Sequence, residues 1–327
     1  MRRRDFITLI GGAAVWPLAA RAQQTGMPTI GFLNGAYAAS LAKAVSVFRA
    51  GLNDTGFVEG RNVAIEFRWA EGDYRRLPAM AADLVQRGVV LIIAGGGAEA
   101  PTPAAKTATS TIPIVFSSGS DPLRSGLVTS LRQPGGNVTG VFVRTTELET
   151  KRLQILLEAV PAASAIGVLV NPTYPEVDRQ VREIATTAKT LAKQIVLARA
   201  SNEAGIHQAF ATLAEQRAGA LLVASDPFLF EQRRHIVALA ARNALPAIYQ
   251  WREFVEDGGL MSYGTTLTET YRVVGMYAGR ILKGERPGDL PVVQSDKFEF
   301  VVNLVTAKAL GLEIPPTLLA RADEVIE

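Results

Sequence analysis

Two groups of residues in this chain could do chemistry. Asn34, Tyr37, Gly96, Gly97, Glu99, Ser117, Ser118 and Asp121 form the first, and Asn171, Tyr174, Ser225, Asp226, Tyr249 and Tyr263 the second. All lie at or just beyond the end of a short apolar run, in segments such as Gly95 to Glu99, Ser117 to Asp121 and Ser225-Asp226-Pro227. They supply amides, hydroxyls, a few carboxylates and aromatic rings, which suits holding a small polar or zwitterionic molecule with an aromatic part. Asp226 can pair with an ammonium group, while Tyr37, Tyr174 or Tyr249 can stack on a ring. Backbone N–H groups at helix starts add capacity for an anion. Each residue also has a structural reading. Asp226 before Pro227 is a good helix N-cap, Asn171-Pro172 a turn, Gly95 to Gly97 a tight strand-to-helix junction, and Tyr263 core or hinge packing.

Catalytic patterns are absent. No G-K-[ST] follows the glycine run and no G-x-G-x-x-G occurs, which removes the phosphate-loop and dinucleotide readings. H-E-x-x-H and G-x-S-x-G are missing too. The two histidines, His207 and His235, sit in amphipathic helical stretches that suit packing or surface roles. The sequence implies neither a metal nor a cofactor.

These loops need a frame. Leu91-Ile92-Ile93-Ala94, a glycine loop, an Ala-rich helix and Ile114-Val115-Phe116 describe a βαβ unit with parallel strands. The pattern extends outward through strands at 29–33, 63–68 and 138–143, with helices at 40–53 and 74–87. It then begins again: strands at 165–170, 194–198, 220–224 and 247–250 alternate with helices at 148–159, 176–193, 203–217 and 230–243. Two such sets predict an α/β fold of two doubly wound parallel-sheet lobes. The tail adds strands at 259–264 and 297–303 with a helix at 268–283, too little for a third core. Residues 23–143 with 251–290 are expected in the first lobe, and 144–250 with 291–327 in the second. The chain would then cross near Val143, Gln250 and Pro291, making a hinge above a cleft that receives the strand-end loops of both lobes.

The 327 residues are 48% apolar and 20% charged, as in a globular protein. Residues 1–22 read as an export leader: Arg2-Arg3-Arg4, an apolar stretch from Phe6 to Leu18, and Ala20-Arg21-Ala22 before Gln23. Arg3-Arg4-Asp5-Phe6-Ile7 resembles a twin-arginine signal; an ordinary secretory signal with extra arginines is the alternative. Four of the 34 basic residues and one of the 31 acidic ones fall in this leader, leaving 30 of each. The overall +3 thus belongs to the leader, and no nucleic-acid or membrane-surface role follows. With no cysteine there is no disulfide framework, no thiolate site and no lipid-modified cysteine as a membrane anchor. A soluble periplasmic location is the expectation.

The chain resembles the exported substrate-binding proteins of ABC importers, in the family that includes tryptophan/tyrosine-type binding components. The matching runs are Gly56-Phe57-Val58-Glu59-Gly60-Arg61-Asn62 with Glu66-Phe67-Arg68-Trp69, Thr111-Ile112-Pro113-Ile114-Val115-Phe116 and Pro134-Gly135-Gly136-Asn137-Val138-Thr139-Gly140. Lys151-Arg152-Leu153, Arg252-Glu253-Phe254-Val255, Gly258 to Gly264, Lys297-Phe298-Glu299 and Asn303 continue the match to Ala307-Lys308 and Gly311-Leu312. The resemblance implies a periplasmic-binding fold of type I, a ligand between the lobes, a membrane permease as partner and no catalysis. Where the family has Thr-Pro opening the helix after the glycine loop, this chain has Glu99-Ala100. That replaces a hydroxyl by an acid and favours a ligand with a donor or cationic group. A ligand-presenting sensor for a receptor kinase is the second reading, and an α/β enzyme the third.

Overall fold

The computed structural model describes residues 26–96, 100–143, 145–295 and 297–327. The expected leader, Gly97 and Glu99 lie outside them. In chain order the strands are β1 (Thr29–Asn34), β2 (Ala64–Trp69), β3 (Leu91–Gly95), β4 (Ile114–Ser118), β5 (Val138–Phe142), β6 (Ala165–Val170) and β7 (Gln194–Arg199). They continue as β8 (Ala220–Val223), β9 (Ala247–Tyr249), β10 (Met261–Thr265), β11 (Val293–Gln294), β12 (Phe298–Asn303) and β13 (Glu324–Ile326).

Two sheets form, in the orders β11-β5-β4-β3-β1-β2 and β13-β12-β10-β9-β8-β6-β7. Every pairing is parallel except β10 with β12. The apolar runs are continuous rather than alternating because helices cover both faces of each sheet. In β3, Leu91 and Ile93 enter one core while Ile92 and Ala94 enter the other. The second sheet divides in the same way: Leu221 and Val223 face one cluster, Ala220 and Leu222 the opposite one.

Near Val143, where a crossing was expected, β5 ends at Phe142 in the first sheet and helix Thr145–Ala159 packs on the second lobe. The other two crossings move. Strand β10 was expected in the first lobe but pairs with β9, Ser262 opposite Tyr249, and so extends the second sheet. The segment after Pro291 was expected in the second lobe with no strand before 297; instead β11 forms and pairs Val293 with Val141 in the first, where Leu290 and Val292 are already buried. The chain therefore crosses between Thr265 and Leu267 and between Gln294 and Phe298, not at Gln250 and Pro291.

Helix Leu267–Leu282 returns to the first lobe and lies against helix Ala42–Asn53 at unusually short range. A Cβ on Gly275 would sit 2.2 Å from the Phe48 carbonyl oxygen, and one on Gly51 2.2 Å from that of Arg272. Only glycine at these two positions lets the backbones come so close. This contact aims the start of helix Leu267–Leu282 at the cleft.

The expected single helix over 230–243 is two helices, Pro227–Glu231 and Arg233–Arg242. The first begins earlier because Pro227 stands at N1 and Asp226 caps it, accepting from the Leu229 N–H at 2.8 Å.

Candidate functional site

Parallel strands end on the same side of their sheet, so both sets of strand-end loops converge between the lobes. They enclose a cavity with about 710 Å³ of space between atoms, solvent at its mouth included. The first lobe contributes Ala36, Leu41, Gly96, Ser117, Ser118 and Gly119. The second contributes Tyr174, Ser225, Asp226, Pro227, Phe230, Gln250 and Trp251. Val143, Thr265, Leu267, Thr270 and Tyr271 come from the crossing segments.

Asp226 is the charged group of this lining. It is 3% exposed; its Oδ1 accepts from the Leu229 N–H and its Oδ2 from Asn171 Nδ2 at 3.1 Å. Among the described residues no cationic side chain pairs with it. Burial pushes its carboxyl up to about 6, with hydrogen bonds from the Leu229 N–H, Asn171 and the Phe228 N–H opposing the shift.

The loop carrying Asp226 is held from behind by a buried ion pair. Glu149 and Arg152, one helical turn apart on helix Thr145–Ala159, are both fully buried and approach to 3.4 Å. Arg152 donates to Ser225 Oγ at 2.9 Å and to the Tyr263 carbonyl at 3.1 Å. Glu149 Oε1 accepts from the Ser225 N–H at 3.0 Å and from Gln180 Nε2 at 2.8 Å. Burial pushes the Glu149 carboxyl up and the Arg152 guanidinium down, against their mutual attraction.

On the first-lobe side, Asn34 is buried behind the cavity wall. Its Oδ1 accepts from the Ala36 N–H at 2.9 Å and its Nδ2 donates to the Tyr271 hydroxyl at 3.1 Å. Having accepted there, Tyr271 keeps its own proton to donate. Burial raises this hydroxyl to about 12, so the proton stays on. Gly96 has a φ of +68°, and a Cβ on it would meet Asn34 Oδ1 at 1.9 Å, so no side chain fits at that bend.

The lobes also touch each other. The rings of Tyr74 and Tyr174 meet edge to face at 6.4 Å. Arg179 Nη2 donates to Ser120 Oγ across the cleft at 2.9 Å. Tyr37 packs against the second-lobe core. This is a closed arrangement, with a second recess beside the first lined by Tyr37, Tyr74, Asn171 and Thr173.

The structure thus brings Gly96, Ser117, Ser118, Tyr174, Ser225 and Asp226 together around one cavity, with Tyr37 and Asn171 in the neighbouring recess. Four expected site residues stand elsewhere. Asn34 is behind the wall. Asp121 closes a turn, accepting from the Leu123 N–H at 2.9 Å. Tyr249 is stacked on Phe254 in the core, because alternation along β9 turns its neighbour Gln250 to the cleft instead. Tyr263 packs against Phe298 and Phe300 of the second lobe. The lining residues that the sequence reading did not select are chiefly Phe230, Gln250, Trp251, Thr265, Thr270 and Tyr271. The position of Gln250-Trp251 immediately after an apolar strand was the available signal; Tyr271, inside a helix, offered none.

Among the described residues no group of three or more His, Asp or Glu side chains is placed to hold a metal, and no helix is long and apolar enough to cross a membrane. His207 and His235 face each other at 4.6 Å on neighbouring helices, and neither lines the cavity.

Comparison with known proteins agrees with this geometry. A "Tyrosine-binding protein" of Clostridioides difficile (strain R20291) is 30% identical over 276 residues, covering 84% of this chain and 78% of that protein. The structure of an ABC domain in complex with L-Trp from Streptococcus pneumoniae is 26% identical and superposes with a TM-score of 0.79, over 92% of this chain and all of the other. A ligand-free, open substrate-binding protein from Clostridium difficile is 27% identical but reaches only 0.62, over 91% and 99%. At 26% and 27% identity the chain is nearer in shape to the ligand-bound relative, in keeping with its interlobe contacts. The two lobes have the type I periplasmic-binding-protein architecture. Residues 34–326 match the model for the ABC transporter substrate binding protein family, and the chain belongs to that family.

Proposed function

We propose that this protein is the extracytoplasmic solute receptor of an ABC importer, and that it closes its two lobes on an aromatic amino acid for delivery to a membrane permease. The buried, unpaired carboxylate of Asp226 in the interlobe cavity carries this reading. A charge desolvated without a counter-ion is costly, and a ligand ammonium supplies the missing partner. The hydroxyls of Ser117 and Tyr271 give the ligand carboxylate its donors, and Phe230, Trp251 and Tyr174 flank its ring. The relatives that bind tyrosine and L-Trp support the ligand class.

Closure follows from differential contact. A ligand seated on the first lobe alone gains nothing from shutting the cleft, whereas one that reaches Asp226 and Trp251 favours the shut state by those extra interactions. The leader-like residues 1–22 and the family membership support an exported location. The family's substrate-binding role also favours a receptor over an enzyme. The test is a melting-temperature screen against the proteinogenic amino acids and a panel of simple sugars. Stabilisation by tryptophan or tyrosine supports the reading; stabilisation only by sugars or by none of the amino acids overturns it.

A further inference from the structure

Gln250 is the cavity residue that the fold leaves incomplete. It follows β9 directly, lines the cavity and is 7% exposed, yet its Oε1 has no hydrogen-bond partner among the described residues. A buried amide oxygen without a donor destabilises the protein, so its retention at a cavity wall marks a contact that a ligand completes. Its surroundings indicate which part of the ligand. Trp251 is next in the chain and meets the Phe230 ring edge-on at 4.5 Å, and Leu41 and Leu267 add apolar surface to the same lining. The groups suited to a charged head are others, Asp226 and the Ser117 and Tyr271 hydroxyls. An amide set among apolar and aromatic walls reads a polar atom on the ligand's ring.

We infer that Gln250 selects ligands whose aromatic ring carries an N–H or O–H donor. The inference rests on the aromatic amino-acid reading above and sharpens it. An indole N–H or a phenol O–H satisfies Gln250 Oε1, whereas a phenyl ring leaves it buried and unpaired. Discrimination of this kind is stronger than shape alone provides, because the wrong ligand strands a polar group in the closed site.

The test is calorimetric titration of wild type and Gln250→Met with L-tryptophan and 3-benzothienyl-L-alanine, in which sulfur replaces the indole N–H, alongside L-tyrosine and L-phenylalanine. Wild type should prefer tryptophan over its isostere, and tyrosine over phenylalanine, by roughly tenfold to a hundredfold. In Gln250→Met both preferences should shrink to within about threefold, with the isostere bound no more weakly than by wild type. Equal binding of the isosteres by wild type overturns the inference alone, as does a uniform loss for all ligands in the variant, which would put Gln250 on the common head. If wild type binds none of these ligands, the aromatic amino-acid reading fails and this inference with it. Should the variant give no cooperative melt, the wild-type isostere ratio decides.

Discussion

Asn171 donates through its Nδ2 to Asp226 Oδ2 at 3.1 Å, tying the loop after β6 to the loop after β8. The bond fixes the carboxylate at the cleft without neutralising it, and the remaining charge awaits a cation.

Substituting Asp226→Asn removes the charge and keeps a good helix cap. Affinity for an ammonium-bearing ligand should fall by roughly tenfold to a hundredfold or more, since a charge-assisted contact is lost. The ligand-free protein should gain nothing in its melting temperature, because the desolvated charge is exchanged for an Nδ2 that faces the Asn171 Nδ2 donor. Calorimetry and thermal melts check the two halves separately. Unchanged affinity would remove Asp226 from the binding site.

The raised Asp226 carboxyl also sets a pH dependence. Its pKa in the folded protein, about 6, lies above its ordinary 3.8, so between these values the fold holds this proton more tightly than the unfolded chain does. Its contribution to stability is therefore largest on the acid side and declines as pH rises through the window. Ligand binding has the opposite sign, because an ammonium group needs the ionised form. Affinity should drop as pH falls below about 6, approaching tenfold per unit at the acid limit, and Asp226→Asn should flatten the curve. Titrations from neutrality downward measure the slope.

Arg152→Met strands Glu149 as a buried, unpaired acid. Breaking such a pair costs about 3–5 kcal/mol, whereas replacing both members by apolar residues is often close to neutral. Arg152→Met should therefore lower stability to urea by that amount. Glu149→Leu with Arg152→Met should recover much of it while leaving the Ser225 loop without its supports, so ligand affinity stays low. A single variant within about 1 kcal/mol of wild type would show that the pair is not structural.

Gly275→Ala would place a Cβ 2.2 Å from the Phe48 carbonyl oxygen. The two helices must then separate, at a cost of about 1–3 kcal/mol. Because helix Leu267–Leu282 also carries Tyr271 to the cavity, ligand affinity should weaken together with urea stability. Gly205→Ala, in helix Glu203–Glu215 where an added Cβ meets nothing closer than 3.4 Å, controls for the backbone effect of losing a helical glycine.

Much of this was legible in the chain because parallel strands buried on both faces leave continuous apolar runs. Leu91 to Ala94 and Ala220 to Val223 stand out for that reason, and the polar residues just after them mark the cleft without any alignment. The crossings were harder to read. Nothing local distinguishes a strand that joins the preceding sheet from one that starts a return, which is why β10 was placed in the other lobe; β11, two residues long, leaves no strand pattern to read. Tyr249 and Gln250 show the second limit: adjacent residues at a strand end face opposite ways, and a shift of one position changes core into site. The buried Glu149–Arg152 pair sits among charged residues on a helix that reads as solvated until the neighbouring sheet is in place.

In the proposed function the cleft recognises an amino group through Asp226. L-Tryptophan and indole-3-propionate, which keeps the ring and the carboxylate but lacks the amine, separate that contact from the rest when titrated calorimetrically into wild type at neutral pH. Tryptophan should bind saturably and the desamino acid at least about a hundredfold more weakly. Equal affinity for the two would rule out recognition of the amine.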